Sequence, residues 1–181
     1  GPLETISLEK VDYNEALDLE YLRTILKKAI VNDGRLNTVS IIKQKDVLMI
    51  SMPHDLLFES GQTEVSVEGK KALFALGGIL NRIGNKIEVV GNADPRPITA
   101  KNGRFENNWA LSLARATEVS SILHQVGYRR DVTVRGVSSA RYDELPNLPE
   151  DEKLSLSRRV DIVVLRDDGS NRTLLKIGGS G

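Results

Sequence analysis

Asp94 and Arg115 are the pair of residues in this sequence best suited to chemistry on a zwitterion. Asp94 lies just past a short β-rich run, and Arg115 lies two turns into an amphipathic segment that starts near Asn108. If the intervening loop closes, a carboxylate and a guanidinium meet in one pocket. The carboxylate accepts hydrogen bonds from an ammonium group, and the planar guanidinium holds a carboxylate by two parallel bonds. An amino-acid head group presents both partners. The plainer alternative makes Asp94-Pro95 a turn and Arg115 a surface or salt-bridged helix residue, and spacing alone leaves both open. Trp109, the single tryptophan, stands at a helix start, where it packs into the core or holds the loop, with stacking on a sugar as the other reading. Arg158 and Arg159 precede an apolar strand, so one is expected at solvent or on a loop carboxylate and the other at the site. His54 and His124 fall in a loop and on a helix and read as surface or half-buried histidines, not as ligands.

Composition narrows the chemistry further. The 181 residues carry 25 Lys plus Arg against 25 Asp plus Glu, which argues against the broad positive field of a nucleic-acid binder. With no cysteine and two histidines, disulfides, thiol catalysis and thiolate metal sites are excluded, and an imidazole metal site has little to draw on. No cofactor or metal is expected. A hydrolase built on Asp94 would need a second carboxylate, histidine or serine in a partner motif, and no such motif, phosphate-cradling glycine loop or His-Glu-x-x-His is present. The expectation is therefore a non-enzymatic protein. No window of about 18 apolar residues spans a bilayer. Gly1-Pro2-Leu3 reads as a scar left by tag removal, with the natural chain expected to continue upstream.

The elements that must position Asp94 and Arg115 follow from periodicity. Up to Gly34 the chain holds seven carboxylates against four bases, and Leu19, Leu22, Leu26 and Ala29/Ile30 recur at helical spacing until Asn32-Asp33-Gly34. Residues 38–42 and 47–52 are β-rich runs joined by Lys43-Gln44-Lys45-Asp46, a hairpin. Leu73, Leu76, Leu80 and Ile83 mark one face of a helix over about 65–84, in which Gly77-Gly78 costs about 1 kcal/mol per glycine against alanine. A strand at 86–91 leads into a long turn-rich loop to Phe105, then a helix capped by Asn107 or Asn108 runs to about Val126 with Gly127 as its stop. Strands at 132–134 and 159–165 bracket an irregular acidic stretch, and a glycine-rich tail closes the chain. The order predicts an α/β (α+β) two-layer sandwich, a mixed sheet covered by helices.

The wording of several segments resembles a family. Phe58-Glu59-Ser60-Gly61, Val89-Val90-Gly91-Asn92-Ala93-Asp94, Asn108-Trp109-Ala110-Leu111-Ser112-Leu113-Ala114-Arg115-Ala116, Gly136 and Ser157-Arg158-Arg159-Val160 look like the ordered motifs of the OmpA-like peptidoglycan-binding domain. The match covers about 47–165. It implies a β/α/β/α/β core, here with an extra N-terminal helix, and implies that Asp94 and Arg115 bind the diaminopimelate of the peptidoglycan stem peptide. Asn108, Leu111, Arg158 and Arg159 are the further peptidoglycan-binding positions it implies. Members usually carry Gly-His-Thr-Asp where this chain has Gly91-Asn92-Ala93-Asp94, and Asn-Arg-Arg-Val where it has Ser157-Arg158-Arg159-Val160. The lost threonine hydroxyl and the lost asparagine amide each remove roughly 1 kcal/mol of hydrogen-bonding capacity if they were used.

Asn-Trp before Leu-Ser and Pro-x-Pro after the aspartate are similar to the MotB-type flagellar stator subunits. That likeness implies a periplasmic wall anchor of a single-pass inner-membrane protein, a homodimer, and a MotA-type membrane partner. The alternative it leaves is a wall anchor of a type VI secretion component or of a Pal/OmpA-type envelope protein. The expected organisation is a scar at 1–4, a periplasmic linker with its helix at 5–36, the peptidoglycan-binding domain at 37–166 and a tail at 167–181. Residues 94–115 and 158–176 are each net positive by two, a mildly basic setting for a carboxylate-bearing peptide.

Overall fold

The computed structural model describes residues 16–93, 108–138, 149 and 157–167. Asp94, the loop 94–107, most of the acidic stretch after Ser138, the scar and the tail lie outside the described residues. Among the described residues five strands form one sheet: β1 (Ser40–Gln44), β2 (Val47–Pro53), β3 (Ile87–Ala93), β4 (Val132–Ser138) and β5 (Arg159–Leu165). Four helices accompany them: α1 (Leu19–Asn32), the single turn α2 (His54–Leu57), α3 (Val67–Leu80) and α4 (Asn108–Val126). A 3₁₀ turn, Gly34–Leu36, follows α1.

The strand order is β1-β2-β5-β3-β4. β1 and β2 form the expected hairpin, β5 lies antiparallel to both β2 and β3, and β3 runs parallel to β4. A parallel pair requires a crossover, and α4 supplies it. β5 is central, and all seven of its residues are buried. Its near-continuous apolar run, Val160-Asp161-Ile162-Val163-Val164-Leu165, is what a strand covered on both faces needs.

Alternation along the strands separates two clusters. Val160, Ile162 and Val164 pair with Met52, Ile50 and Leu48, and together they meet Leu22 and Leu26 of α1, Leu73, Leu76 and Leu80 of α3, and Val119 and Leu123 of α4. Val163 and Leu165 point the other way and join Val90, with Val47, Met49 and Val137 against them. The main core is therefore the two-layer sandwich that the pattern predicts. The helix assigned from sequence to the linker region packs into this core through Leu19, Leu22 and Leu26.

Local chemistry fixes the ends. The Asp18 carboxylate accepts from the backbone N–H of Glu20 and Tyr21, which caps α1. Ser66 caps α3 by accepting from Gly69 N–H at 3.0 Å. Gly77 stands where α3 meets α4, and a Cβ there would fall 2.7 Å from Val126 Cγ1. The helix tolerates this glycine because close packing offsets its intrinsic cost.

Candidate functional site

Two contacts set how α4 lies on the sheet. A Cβ on Gly91 of β3 would overlap the backbone carbonyl of Ser112, and one on Gly136 of β4 would sit 2.9 Å from Ser112 Oγ and 3.1 Å from the Trp109 carbonyl. Only glycine at both positions lets the first turns of α4 approach the ends of β3 and β4 so closely. Ser112 Oγ donates to the Trp109 carbonyl at 2.8 Å, and Trp109 Nε1 donates to the Gly136 carbonyl at 2.8 Å. Trp109 is thus held by its N–H to β4 while the residue remains 46% exposed, so it is not a core residue.

Opposite this helix start lies segment 54–65. The short helix α2 begins directly after β2, and His54 N–H donates to the Arg158 carbonyl at 2.9 Å, joining it to the residue before β5. Phe58 and Val65 then make an isolated antiparallel bridge, and Ser66 N–H returns to the Leu57 carbonyl at 2.7 Å. The small loop so closed turns the Gln62 carbonyl toward α4.

Between these elements is a cavity of about 270 Å³ lined by His54, Asp55, Phe58, Glu59, Ser60, Gly61, Asn92, Asn108, Leu111, Ser112, Arg115 and Arg158. Of the residues expected at the site, Arg115, Asn108, Leu111 and Arg158 line it together. Asp94 falls outside the described residues, although Asn92, two positions earlier, is on the wall. Arg159 is elsewhere. Its Nε donates to Ser51 Oγ at 2.6 Å and its Nη2 donates to the carbonyls of Ser51 and Thr38 at 2.6 and 3.1 Å, so it ties β5 to β2 and to the chain entering β1. Alternation along β5 accounts for this placement, because neighbours on a strand cannot share a face.

Arg115 is 9% exposed and sits at the back of the cavity. Its Nε donates to the Gln62 carbonyl at 2.9 Å, its Nη1 lies 3.3 Å from His54 Nδ1, and its guanidinium carbon stands 5.0 Å from the centre of the Phe58 ring. Burial lowers its pKa from the ordinary arginine value, and the nearby Asp55 carboxylate pulls it back up. It remains a cation with Nη2 lacking a protein acceptor among the described residues. Asp55 and Glu59 put carboxylates on one rim, with Arg115 and Arg158 supplying cations, an arrangement complementary to a ligand carrying both signs.

Asn92 stands where the family resemblance expects histidine. Its Nδ2 donates to the Arg159 carbonyl at 3.0 Å and to Asp161 Oδ2 at 2.9 Å, so its amide ties the end of β3 to β5. Sequence reasoning missed His54. The available signal was its spacing: four residues before Phe58, it falls on the same face of any helical turn begun after Pro53. Among the described residues no cluster of three or more His, Cys, Asp or Glu side chains forms a metal site, and no described helix is long and apolar enough to cross a membrane.

No family model matches the chain. Solved structures do. A MotB-like protein from Desulfovibrio vulgaris superposes with a TM-score of 0.72 at 21% identity, over 82% of this chain and 91% of that one. The cell wall anchor of the T6SS from Pseudomonas aeruginosa gives a TM-score of 0.64 at 27% identity, over 77% and 96%. The periplasmic domain of Helicobacter pylori MotB gives 0.63 at 21% identity, over 77% and 86%. Among curated proteins, the uncharacterized protein YtxE of Bacillus subtilis (strain 168) is 27% identical over 145 residues, which is 77% of this chain and 58% of YtxE. The mixed sheet with its helical layer is the fold of the MotB periplasmic domain, the OmpA-like fold that the sequence motifs imply.

Proposed function

We propose that this chain is a peptidoglycan-binding wall anchor whose cavity holds the diaminopimelate head group of a stem peptide, with Arg115 and Asp94 gripping its carboxylate and ammonium. The observation that carries the reading is Arg115 itself: a buried guanidinium on the cavity wall, held by the Gln62 carbonyl, His54 and Phe58, whose Nη2 has no protein acceptor among the described residues. A buried cation with donors left over is costly unless a ligand completes it, and a bidentate carboxylate is the shape that does so. The likeness to the cell wall anchor at 27% identity supports the reading, and the fold shared with the MotB periplasmic domains is consistent with it. Asn108, Leu111 and Arg158 complete the walls of the site. The main-chain carbonyl of residue Arg159 holds Asn92 on the cavity wall, whereas the Arg159 side chain is spent on Ser51 and Thr38.

The reading is one of binding without turnover. In a MotB-type stator the domain would sit on the periplasmic side of the inner membrane, as a homodimer joined to a MotA-type subunit. Two stems held at once make the second contact effectively intramolecular, which turns a small site into a firm anchor. The 27% identity to the T6SS anchor supports a second setting, the wall anchor of a secretion complex. Cross-linking in cells separates the two, through capture of a MotA-type subunit or of secretion membrane components.

Co-sedimentation with purified sacculi tests the site. Asp94→Asn and Arg115→Met are each expected to weaken binding roughly 10- to 100-fold, the worth of a lost charge-assisted bond pair. Circular dichroism of both variants should match the parent. Sedimentation equal to the parent in both would remove the assignment.

A further inference from the structure

We propose that Asn92 is a specificity-determining contact of the cavity: its amide oxygen accepts a hydrogen bond from the free ammonium of the ligand, so that a head group with an amine is preferred over one with the carboxylate alone. The proposal rests on the reading of the cavity as a site for an amino-acid head group.

Asn92 lies on β3, where its backbone pairs with Val137 of β4, and the residue is 5% exposed. Backbone pairing between β3 and β5 ends one residue earlier, at Gly91 and Val160. The side chain continues the tie: Nδ2 donates to the Arg159 carbonyl at 3.0 Å and to Asp161 Oδ2 at 2.9 Å. A carbonyl and an ionised carboxylate only accept, so both N–H bonds of the amide are committed to β5. Turning the amide over would set its oxygen against two other oxygens and forfeit both bonds, in a setting where an unpaired polar group is costly. The orientation is therefore locked.

A primary amide has two donors and one acceptor group, and what the lock leaves over is Oδ1. Among the described residues no group donates to Oδ1, and it is not one of the side-chain atoms sealed off without a partner. Asn92 lines the same cavity as Arg115, so the walls offer guanidinium donors for a carboxylate and a fixed acceptor for an N–H. An ammonium carries three N–H donors, so this contact adds to the one assigned above to Asp94. A second carboxylate at this wall is disfavoured, because an amide oxygen facing a carboxylate oxygen leaves both without a donor. Histidine, the residue usual here in the family resemblance, has two ring nitrogens and cannot supply two inward donors together with an outward acceptor. Asparagine at position 92 supplies all three.

The test compares two soluble stem tripeptides on the full chain and on Asn92→Leu. One ends in diaminopimelate; the other ends in 2-aminopimelate, which keeps both carboxylates and the peptide-linked nitrogen but lacks the free amine. Asn92→Leu should bind the first about tenfold more weakly than the parent does, the worth of one hydrogen bond to a charged group, and the second within about twofold of the parent. A purely structural role would lower both alike, and equal losses overturn the proposal. NMR of the parent, labelled at the Asn92 side chain, reads the contact without any substitution. The 13Cγ resonance should shift with the diaminopimelate peptide and stay in place with the 2-aminopimelate peptide, while both Hδ2 protons remain protected from exchange. If Asn92→Leu does not fold, this measurement decides alone. A 13Cγ resonance indifferent to the amine, or Hδ2 protons released on binding, overturns the role of Asn92 and leaves the anchor reading standing. Failure of the parent to bind either peptide or purified sacculi removes the anchor reading and the proposal together.

Discussion

Two arginines are almost equally buried in this molecule, Arg115 at 9% and Arg159 at 7% exposure, yet they face opposite problems. Arg159 lies against the sheet and spends its donors on Ser51 Oγ, the Ser51 carbonyl and the Thr38 carbonyl, three bonds that join β5, β2 and the chain before β1. Arg115 lies at the wall of a cavity, with two nitrogen contacts and an aromatic ring holding it. The first guanidinium is completed from within, and its free energy is spent on the fold. The second lines a cavity and keeps Nη2 without a protein acceptor among the described residues, as the proposed ligand-binding role requires. Burial alone therefore does not mark a site; the direction of the remaining donors does.

That contrast makes separable predictions. Arg159→Met leaves three acceptors without their donor in a buried setting, and should cost about 3 kcal/mol of stability, with a thermal midpoint lower by roughly 10 °C. Calorimetry measures it. Sacculus binding per folded molecule should stay near that of the parent. Arg115→Met removes two contacts but also relieves the desolvation of a charge, so its stability should change by about 1 kcal/mol or less while binding falls as described above. If Arg159→Met proved thermally silent but blind to sacculi, the two arginines would have exchanged roles and the comparison would fail.

How far the sequence discloses this arrangement depends on the range of the interactions involved. The hairpin, the apolar face of α1 and the run of β5 are local patterns, so they are legible from periodicity. The bounds of α3 shift from about 65–84 to Val67–Leu80 because Val65 pairs with Phe58 and Ser66 caps the helix, contacts that periodicity does not register. β3 continues to Ala93, through residues that look like turn formers, because Asn92 and Ala93 pair with Val137 and Ser138 of β4. The turns at Gly34–Leu36 and His54–Leu57 are too short to show any period. At the site, Arg115, Asn108 and Leu111 share one face of one helix and come with a recognisable motif. His54 and the Gln62 carbonyl reach Arg115 across 61 and 53 residues, contacts that only the closed fold brings together.

A third buried ionisable group sharpens the comparison at its weakest point. Tyr128 donates its hydroxyl to the Asn85 carbonyl at 2.6 Å, and Asn85 in turn accepts from Leu17 N–H and donates to the carbonyls of Leu17 and Leu165. Like Arg159, it is a polar group completed inside the fold, joining the entry of α1 to the end of β5. Burial pushes its pKa up to about 12, against opposing pulls from Arg130 and from the main chain of Ile87. A phenol whose folded pKa exceeds its unfolded value binds more protons in the native state across that interval. Its contribution is therefore complete below about pH 10 and fades as pH rises toward the folded value. Denaturant unfolding between pH 9 and pH 12 should show the parent losing stability more steeply than Tyr128→Phe, with the gap opening only above about pH 10. Parallel curves would mean that the phenol is not sealed from solvent, and that only arginine in this molecule distinguishes an inward-completed group from an outward-facing one.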